Sequence, residues 1–289
     1  VPPTRWQRLM VVGKSRARAA LATRLVLLSL GAFVMIVPFA YMLATSLKAN
    51  SLALEVPPDF IPNDPTTENY RDAWSSNHFG RYFLNSLGVA VATTLISVLL
   101  SSMMAYAFSR LRFPGRTLLF ALLLLGLMVP TMMLIVPQFL LAKELHLLDS
   151  YAGLVVFYVG GTLALNTFLL RSFFQDIPRE LEEAMVVDGA GPWKRYRQLI
   201  LPLSRPALAT VAIFTFLASW DEFVWALTII NDPEKRTLPI AIALFQGQYA
   251  TSWGIVFAAS AIAVVPVIAI FIALQRQFIG GIAAGAVKG

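Results

Sequence analysis

The chain has 289 residues, 57% of them hydrophobic and 13% charged, with a formal net charge of +7. A soluble domain carries roughly 25% charged residues over its surface, whereas here charge is confined to short stretches between long apolar runs, which marks a bilayer protein and excludes disorder, collagen and coiled coil. The absence of cysteine excludes disulfides, thiolate catalysis, cysteine-ligated zinc and iron–sulfur clusters, and only His78 and His146 are available for a histidine metal site.

A basic segment, 1–24, carries Arg5, Arg8, Lys14, Arg16, Arg18 and Arg24 ahead of the first apolar run. A membrane-crossing helix needs about 20 mostly apolar residues. Six stretches meet that standard: Leu25 to Leu47, Asn85 to Phe108, Leu118 to Ala142, Tyr151 to Leu170, Leu208 to Ile230 and Gly254 to Leu274. The first is too long, and too far behind its basic leader, to be a cleaved signal, so it is expected to remain as an anchor. Residues 48–82 follow as a long connection with Pro57, Pro58, Pro62 and Pro65 among five acids, and the proline spacing excludes a long helix through its first half. It is either a solvated loop or a docking surface for an external partner. The other five helices form a core over 83–274, interrupted by a connection at 171–207, and a tail covers 275–289. Pro38, Pro130, Pro137 and Pro266 fall inside spans, where they break the backbone ladder and can kink a helix.

Segments 1–24, 109–117, 171–207 and 275–289 together hold 17 of the 23 Lys and Arg residues. Since basic residues favour the cytoplasmic side, both termini are expected in the cytoplasm, and the positive charge is read as an orientation signal rather than a nucleic-acid surface. No catalytic constellation of nucleophile, base or metal ligand is present. Gly13, Lys14 and Ser15 come closest to a phosphate loop, but Arg8 stands where that motif needs its first glycine. The chain is therefore expected to bind no cofactor and to be no enzyme.

The connection 171–207 is far longer than two neighbouring helices need. Ile177, Leu181, Ala184 and Met185 alternate with Arg179, Glu180, Glu182 and Glu183, and Trp193, Tyr196, Leu199 and Ile200 recur at helical spacing. Pro178 suits a first helical turn, Glu180, Glu182 and Glu183 suit the positive end of a helix, and Gly189, Gly191 and Pro192 turn the chain. Helix, turn and second helix on the cytoplasmic face are predicted.

Glu183, Ala184, Met185, Asp188, Gly189, Ala190, then Leu199, Ile200, Leu201 and Pro202 resemble the EAA loop of permease subunits in ABC importers, whose pattern is E-A-A, three residues, G, nine residues, I-x-L-P. Met185 and Leu199 replace an alanine and an isoleucine with other apolar side chains. Asn69 and Tyr70, the run Tyr82 to Leu87, the stretch Trp220 to Leu227 and the ending Ala283 to Gly289 look like the MalG-like subunit of maltose-type carbohydrate importers. The resemblance implies an all-α membrane protein with the six-helix type I importer fold, in the plasma membrane of a prokaryote. It further implies a second homologous permease, two ATPase subunits at the loop carrying ATP and Mg, and an external sugar-binding protein. It implies a contact of the tail residues Val287, Lys288 and Gly289 between the ATPase subunits, the alternative being a frayed chain end. Against it stand a secondary transporter or channel working without ATP, and an intramembrane enzyme.

The fifth span carries two acids. On one continuous helix Asp221 and Glu222 lie about 20 Å along a roughly 34 Å span, on different faces. A carboxylate at that depth costs roughly 3 kcal/mol unless it faces protein or water. Ser219, Trp220, Asp221, Glu222 and Trp225 are the expected lining of a sugar path, with Asp221 or Glu222 accepting hydroxyls and the indoles stacking on rings; the alternative is that both acids are hydrogen-bonded to neighbouring helices.

Overall fold

A computed structural model describes residues 5–49, 60–62, 64–75, 78–245 and 252–286, with side chains between 20 and 275. Among the described residues extended pairing is limited to one bridge, Lys48 with Pro65; the rest is helix and turn. Contacts divide the chain into two units, 1–73 with 249–261 and 74–248 with 262–289.

In the first unit, α1 (Arg5–Ser46) stays one helix through Pro38 and presents Leu25, Leu28, Met35 and Phe39 outward, as a helix bathed in lipid does. Its last carbonyls need partners. Asn69, on α2 (Glu68–Ser75), supplies them: its Nδ2 donates to the carbonyls of Ser46 at 2.9 Å and Lys48 at 2.8 Å, while the Tyr70 hydroxyl meets Ser46 Oγ at 2.7 Å.

The second unit is built on α3 (Phe79–Arg110). Along it Ser86, Ala90, Thr93, Ser97, Ser101 and Ala105 are buried at steps of three and four, while Leu84, Leu95 and Leu99 are exposed. Small residues inward and leucines outward is the inverse of a soluble helix, and it lets backbones approach closely. Next come α4 (Arg116–Leu125), α5 (Ile135–Glu144), α6 (Tyr151–Gln175), α7 (Arg179–Val187), α8 (Pro192–Arg195), a π-turn Tyr196–Ile200, α9 (Leu201–Leu203), α10 (Arg205–Trp220), α11 (Val224–Ile229) and α12 (Leu238–Leu244). The last helix, α13 (Trp253–Ala286), continues through Pro266.

The centre of this unit is polar. Ser97 Oγ lies 2.8 Å from Thr162 Oγ1, and Asn166 Nδ2 donates to both Ser97 Oγ and Thr215 Oγ1 at 2.9 Å, tying α3, α6 and α10 together. Apolar clusters flank the seam. One gathers Val89, Leu154, Tyr158, Trp225 and Ile229; the other gathers Ala105, Leu170, Phe174, Tyr196, Ile200 and Val211. Val89 to Ala105 and Leu154 to Leu170 are the same number of steps, about 24 Å of helix, so the two clusters brace opposite ends of one bundle.

Four described helices are long and apolar enough to cross a bilayer, and six spans result if each of two bent pairs is one crossing. The third predicted span is such a pair rather than a single helix: Arg116–Met128 and Thr131–Glu144 meet at 95° around Pro130. Pro130 has no N–H to continue the ladder and holds Val129 extended, at φ −90° and ψ 120°. The fifth span also departs from the prediction. The helix stops at Trp220, residues 221–223 are non-helical, and α11 restarts at Val224, so Asp221 and Glu222 stand at a break instead of within a continuous helix. Before it, Pro192–Leu203 meets Arg205–Trp220 at 78°, where Pro206 denies the ladder a donor.

Candidate functional site

Two places collect the residues singled out in the sequence. The first is the connection 171–207. Here α7 ends with a Schellman stop: Ala190 N donates to Met185 O at 2.8 Å, Gly189 N donates to Val186 O at 3.0 Å, and Gly189 takes φ +76°. Nothing lies near enough to obstruct a Cβ at Gly189, so the requirement for glycine is the left-handed backbone itself. The motif's D-G-A is thus a helix terminator. Pro178 stands just before α7, one position earlier than a first-turn proline.

The loop is clamped to the bundle by side chains that the family motif does not contain. Tyr106 donates its hydroxyl to Pro192 O at 3.0 Å, the Tyr196 and Ser102 hydroxyls meet at 2.8 Å, and the two tyrosine rings pack 5.3 Å apart. Glu182 is the buried acid of α7. Its Oε1 lies 3.0 Å from Arg110 Nε and its Oε2 lies 3.5 Å from Arg195 Nη1, while Arg110 Nη2 also reaches the carbonyls of Phe174 and Ile177. One guanidinium thereby joins the ends of α3 and α6 to the carboxylate of α7. The sequence alone places Glu182 only among charges at a helix start; its inward direction is fixed by the packing of α7 against α3.

The outer face of the loop is different. Leu181, Val186, Val187 and Trp193 are exposed, Val187 by 87%, beside the exposed Glu183, Ala184 and Asp188. Ala190 is buried, Met185, Leu199 and Leu201 are half-buried, and Pro202 is exposed. These apolar side chains, rimmed by charge, form an exposed patch of the kind found at interaction sites.

The second place is a cavity of about 320 Å³ between α5, α6 and the break in the fifth span, lined by Gln138, Phe157, Tyr158, Thr162, Ser219, Glu222 and Trp225 among others. Glu222 organises its wall. It accepts the Tyr158 hydroxyl at 2.6 Å, the Trp225 N–H at 2.7 Å and the Ala226 N–H at 3.0 Å, so the carboxylate caps α11 and is satisfied within the protein. Trp225 is buried against Phe157, ring centres 4.7 Å apart. Ser219 donates back to Thr215 O at 2.7 Å. Asp221 and Trp220 lie elsewhere. Asp221 is exposed, and Trp220 is buried, stacked on Phe216, met edge-on by Phe83, with its Nε1 donating to Ala263 O at 3.1 Å. The structure thus brings together three of the five predicted pathway residues. Gln138 and Tyr158, from other helices, were not read from the sequence. The tail residues Val287, Lys288 and Gly289 lie outside the described residues. Among the described residues no cluster of His, Asp and Glu could hold a metal ion.

Residues 97–282 match the family described as "Binding-protein-dependent transport system inner membrane component". Over 261 residues the chain is 36% identical to the diacetylchitobiose uptake system permease protein NgcG of Streptomyces coelicolor, covering 90% of this chain and 86% of that one. It is 38% identical over 272 residues to the trehalose/maltose transport system permease protein MalG of Thermococcus litoralis, covering 91% and 97%. Its fold is similar to that of a chain in a bacterial ABC transporter involved in the import of the acidic polysaccharide alginate, with a TM-score of 0.75, 24% identity, and coverage of 96% of this chain and 99% of that one.

Proposed function

The chain belongs to the family of inner membrane components of binding-protein-dependent transport systems, and we propose that it works as the permease subunit of an ATP-driven sugar importer, receiving mechanical input at 171–207 and passing sugar beside the cavity at Glu222. The permease is not itself an enzyme; ATP and Mg act on partner subunits. The observation that carries this reading is the two-sided construction of α7. Its inner face is locked to α3 and α6 through Glu182, and its outer face offers Leu181, Val187 and Trp193 to a partner. A loop with no partner needs neither feature. Two ATPase subunits and a second, homologous permease complete the assembly, and an external binding protein delivers the sugar. The named relatives are permease proteins of a diacetylchitobiose uptake system and a trehalose/maltose transport system, which supports a di- or oligosaccharide as cargo.

Orientation follows from the charge asymmetry: 171–207 and both termini face the cytoplasm. The path residues are narrowed to Ser219, Glu222 and Trp225, which share the cavity with Gln138. Glu222 holds its own donors and the Thr162 hydroxyl is taken by Ser97 and the Tyr158 carbonyl, so Gln138 is the group placed to meet sugar hydroxyls.

Purification from the native membrane tests the assembly, since a permease of this class carries ATPase and second permease subunits with it. Reconstitution in proteoliposomes with the binding protein tests the activity. Sugar uptake that proceeds without ATP would replace this reading with that of a secondary transporter.

A further inference from the structure

Beneath α7 lies a pocket of about 160 Å³ lined by Arg110, Arg112, Arg116, Arg179 and Arg195 against only Glu182 and Glu183. Glu182 is engaged with Arg110 and Arg195. That leaves Arg112, Arg116 and Arg179 facing one carboxylate, an excess of positive charge in one recess. Arg116 is held in place by donating Nη1 to Leu111 O at 3.0 Å, and Arg112 and Arg179 are exposed. Guanidinium forks converging on one recess fit the oxygens of a phosphate group.

The surroundings select the source of that phosphate. Arg112 and Arg116 also line an adjoining hollow of about 490 Å³ that runs to Leu118. Arg116 opens α4, none of whose residues is buried and whose Leu118, Leu119 and Leu122 are exposed by 64%, 50% and 53%. A bilayer protein exposes leucines to acyl chains, so arginines at the end of such a helix stand at headgroup level. A recess between helices on the basic side of the membrane is the kind of place that takes an anionic headgroup. We propose that this pocket binds the phosphodiester of an anionic phospholipid, with Arg112 and Arg116 on the bilayer side and Arg179 on the loop side. The lipid then bridges the 110–116 turn and α7, and makes transmission through the loop depend on membrane composition. This goes beyond the importer reading and requires only that the chain spans a membrane.

The test uses the purified permease assembly, stripped of lipid and returned to defined mixtures, with bound lipid counted by native mass spectrometry. Phosphatidylglycerol is expected to be retained over phosphatidylcholine, and Arg112→Gln/Arg179→Gln is expected to weaken that retention roughly thirtyfold, the worth of two arginines near an anionic surface. Arg81→Gln, which alters an exposed arginine paired with Glu234 away from the pocket, is expected to leave it unchanged. Equal retention by wild type and the double glutamine variant overturns the site. Inorganic phosphate or glycerophosphate displacing phosphatidylglycerol at equal concentration overturns the lipid as the source and assigns the pocket to a soluble anion. If the glutamine variant melts early in phosphatidylcholine, Arg112→Lys/Arg179→Lys decides instead: weakened retention at an unchanged melting temperature supports the guanidinium recess, and retention equal to wild type overturns it.

Discussion

Arg110 Nε lies 3.0 Å from Glu182 Oε1 with the two side chains only 5% and 8% exposed, so the end of α3 and the inner face of α7 share one sealed pair of opposite charges. Removing one partner of such a pair leaves an uncompensated charge, whereas replacing both with apolar groups of similar size leaves none. Glu182→Ala is expected to cost about 3 to 5 kcal/mol, read as faster hydrogen exchange across Arg179–Val187. Arg110→Met/Glu182→Leu should recover only part of that protection, because Arg195 still loses its acid and the carbonyls of Phe174 and Ile177 lose their donor. If exchange in Glu182→Ala matches wild type, the clamp does not hold the loop.

Glu222 and Asp221 are adjacent in sequence and opposite in consequence. Three donors converge on Glu222. Glu222→Gln turns an amide toward them and should cost about 1.5 to 3 kcal/mol, the usual worth of hydrogen bonds to a charged group, with Tyr158→Phe costing about 1. Asp221→Asn should change stability little. Melting temperature and sugar uptake would both be measured. Slowed uptake in Asp221→Asn together with normal uptake in Glu222→Gln would refute the narrowed path.

Gly189 is needed for its φ of +76° and not for lack of room. Gly189→Ala should therefore cost about 1 to 2 kcal/mol through the left-handed backbone alone. Gly189→Asp adds a carboxylate to the partner-facing turn and is expected to abolish both uptake and sugar-stimulated ATP hydrolysis. Gly191, at φ −69°, should accept alanine. Equal behaviour of alanine at 189 and 191 would remove the backbone argument.

Asp149 supplies a pH prediction. The backbone N–H of Asp232, followed by that of Asn231 and by Lys235, holds its carboxyl below the usual carboxylate range. A depressed acid contributes stability that is present above its unfolded pKa, near 3.9, and is lost as pH falls through the lower folded value. Hydrogen exchange in residues 229–236 should be faster in Asp149→Asn than in wild type at neutral pH, with the gap closing below about pH 4. A gap independent of pH would show that the carboxylate's charge does not brace this turn.

Sequence alone determined the class, the apolar runs and the place of the long loop, because each rests on local quantities: the length of apolar stretches, the asymmetry of Lys and Arg, and a spaced motif. It also marked Asn69, Asn85 and Ser86 as family residues without saying why. Only tertiary structure gives the reason: Asn69 serves the carbonyls at the end of α1, Asn85 Nδ2 donates to Glu234 O and Arg236 O, and Ser86 Oγ accepts the Leu238 N–H. Those partners are up to 152 positions distant in the chain, beyond any pattern read along it. The same limit hid the breaks at Pro130 and at Asp221. A proline or an acid in an apolar run is compatible with either a kinked helix or a broken one, and the choice depends on whether neighbouring helices offer partners to the freed groups. At Glu222 they do, since Tyr158 on α6 completes what the Trp225 and Ala226 N–H groups begin, and that meeting is decided by the packing of α6 against the fifth span.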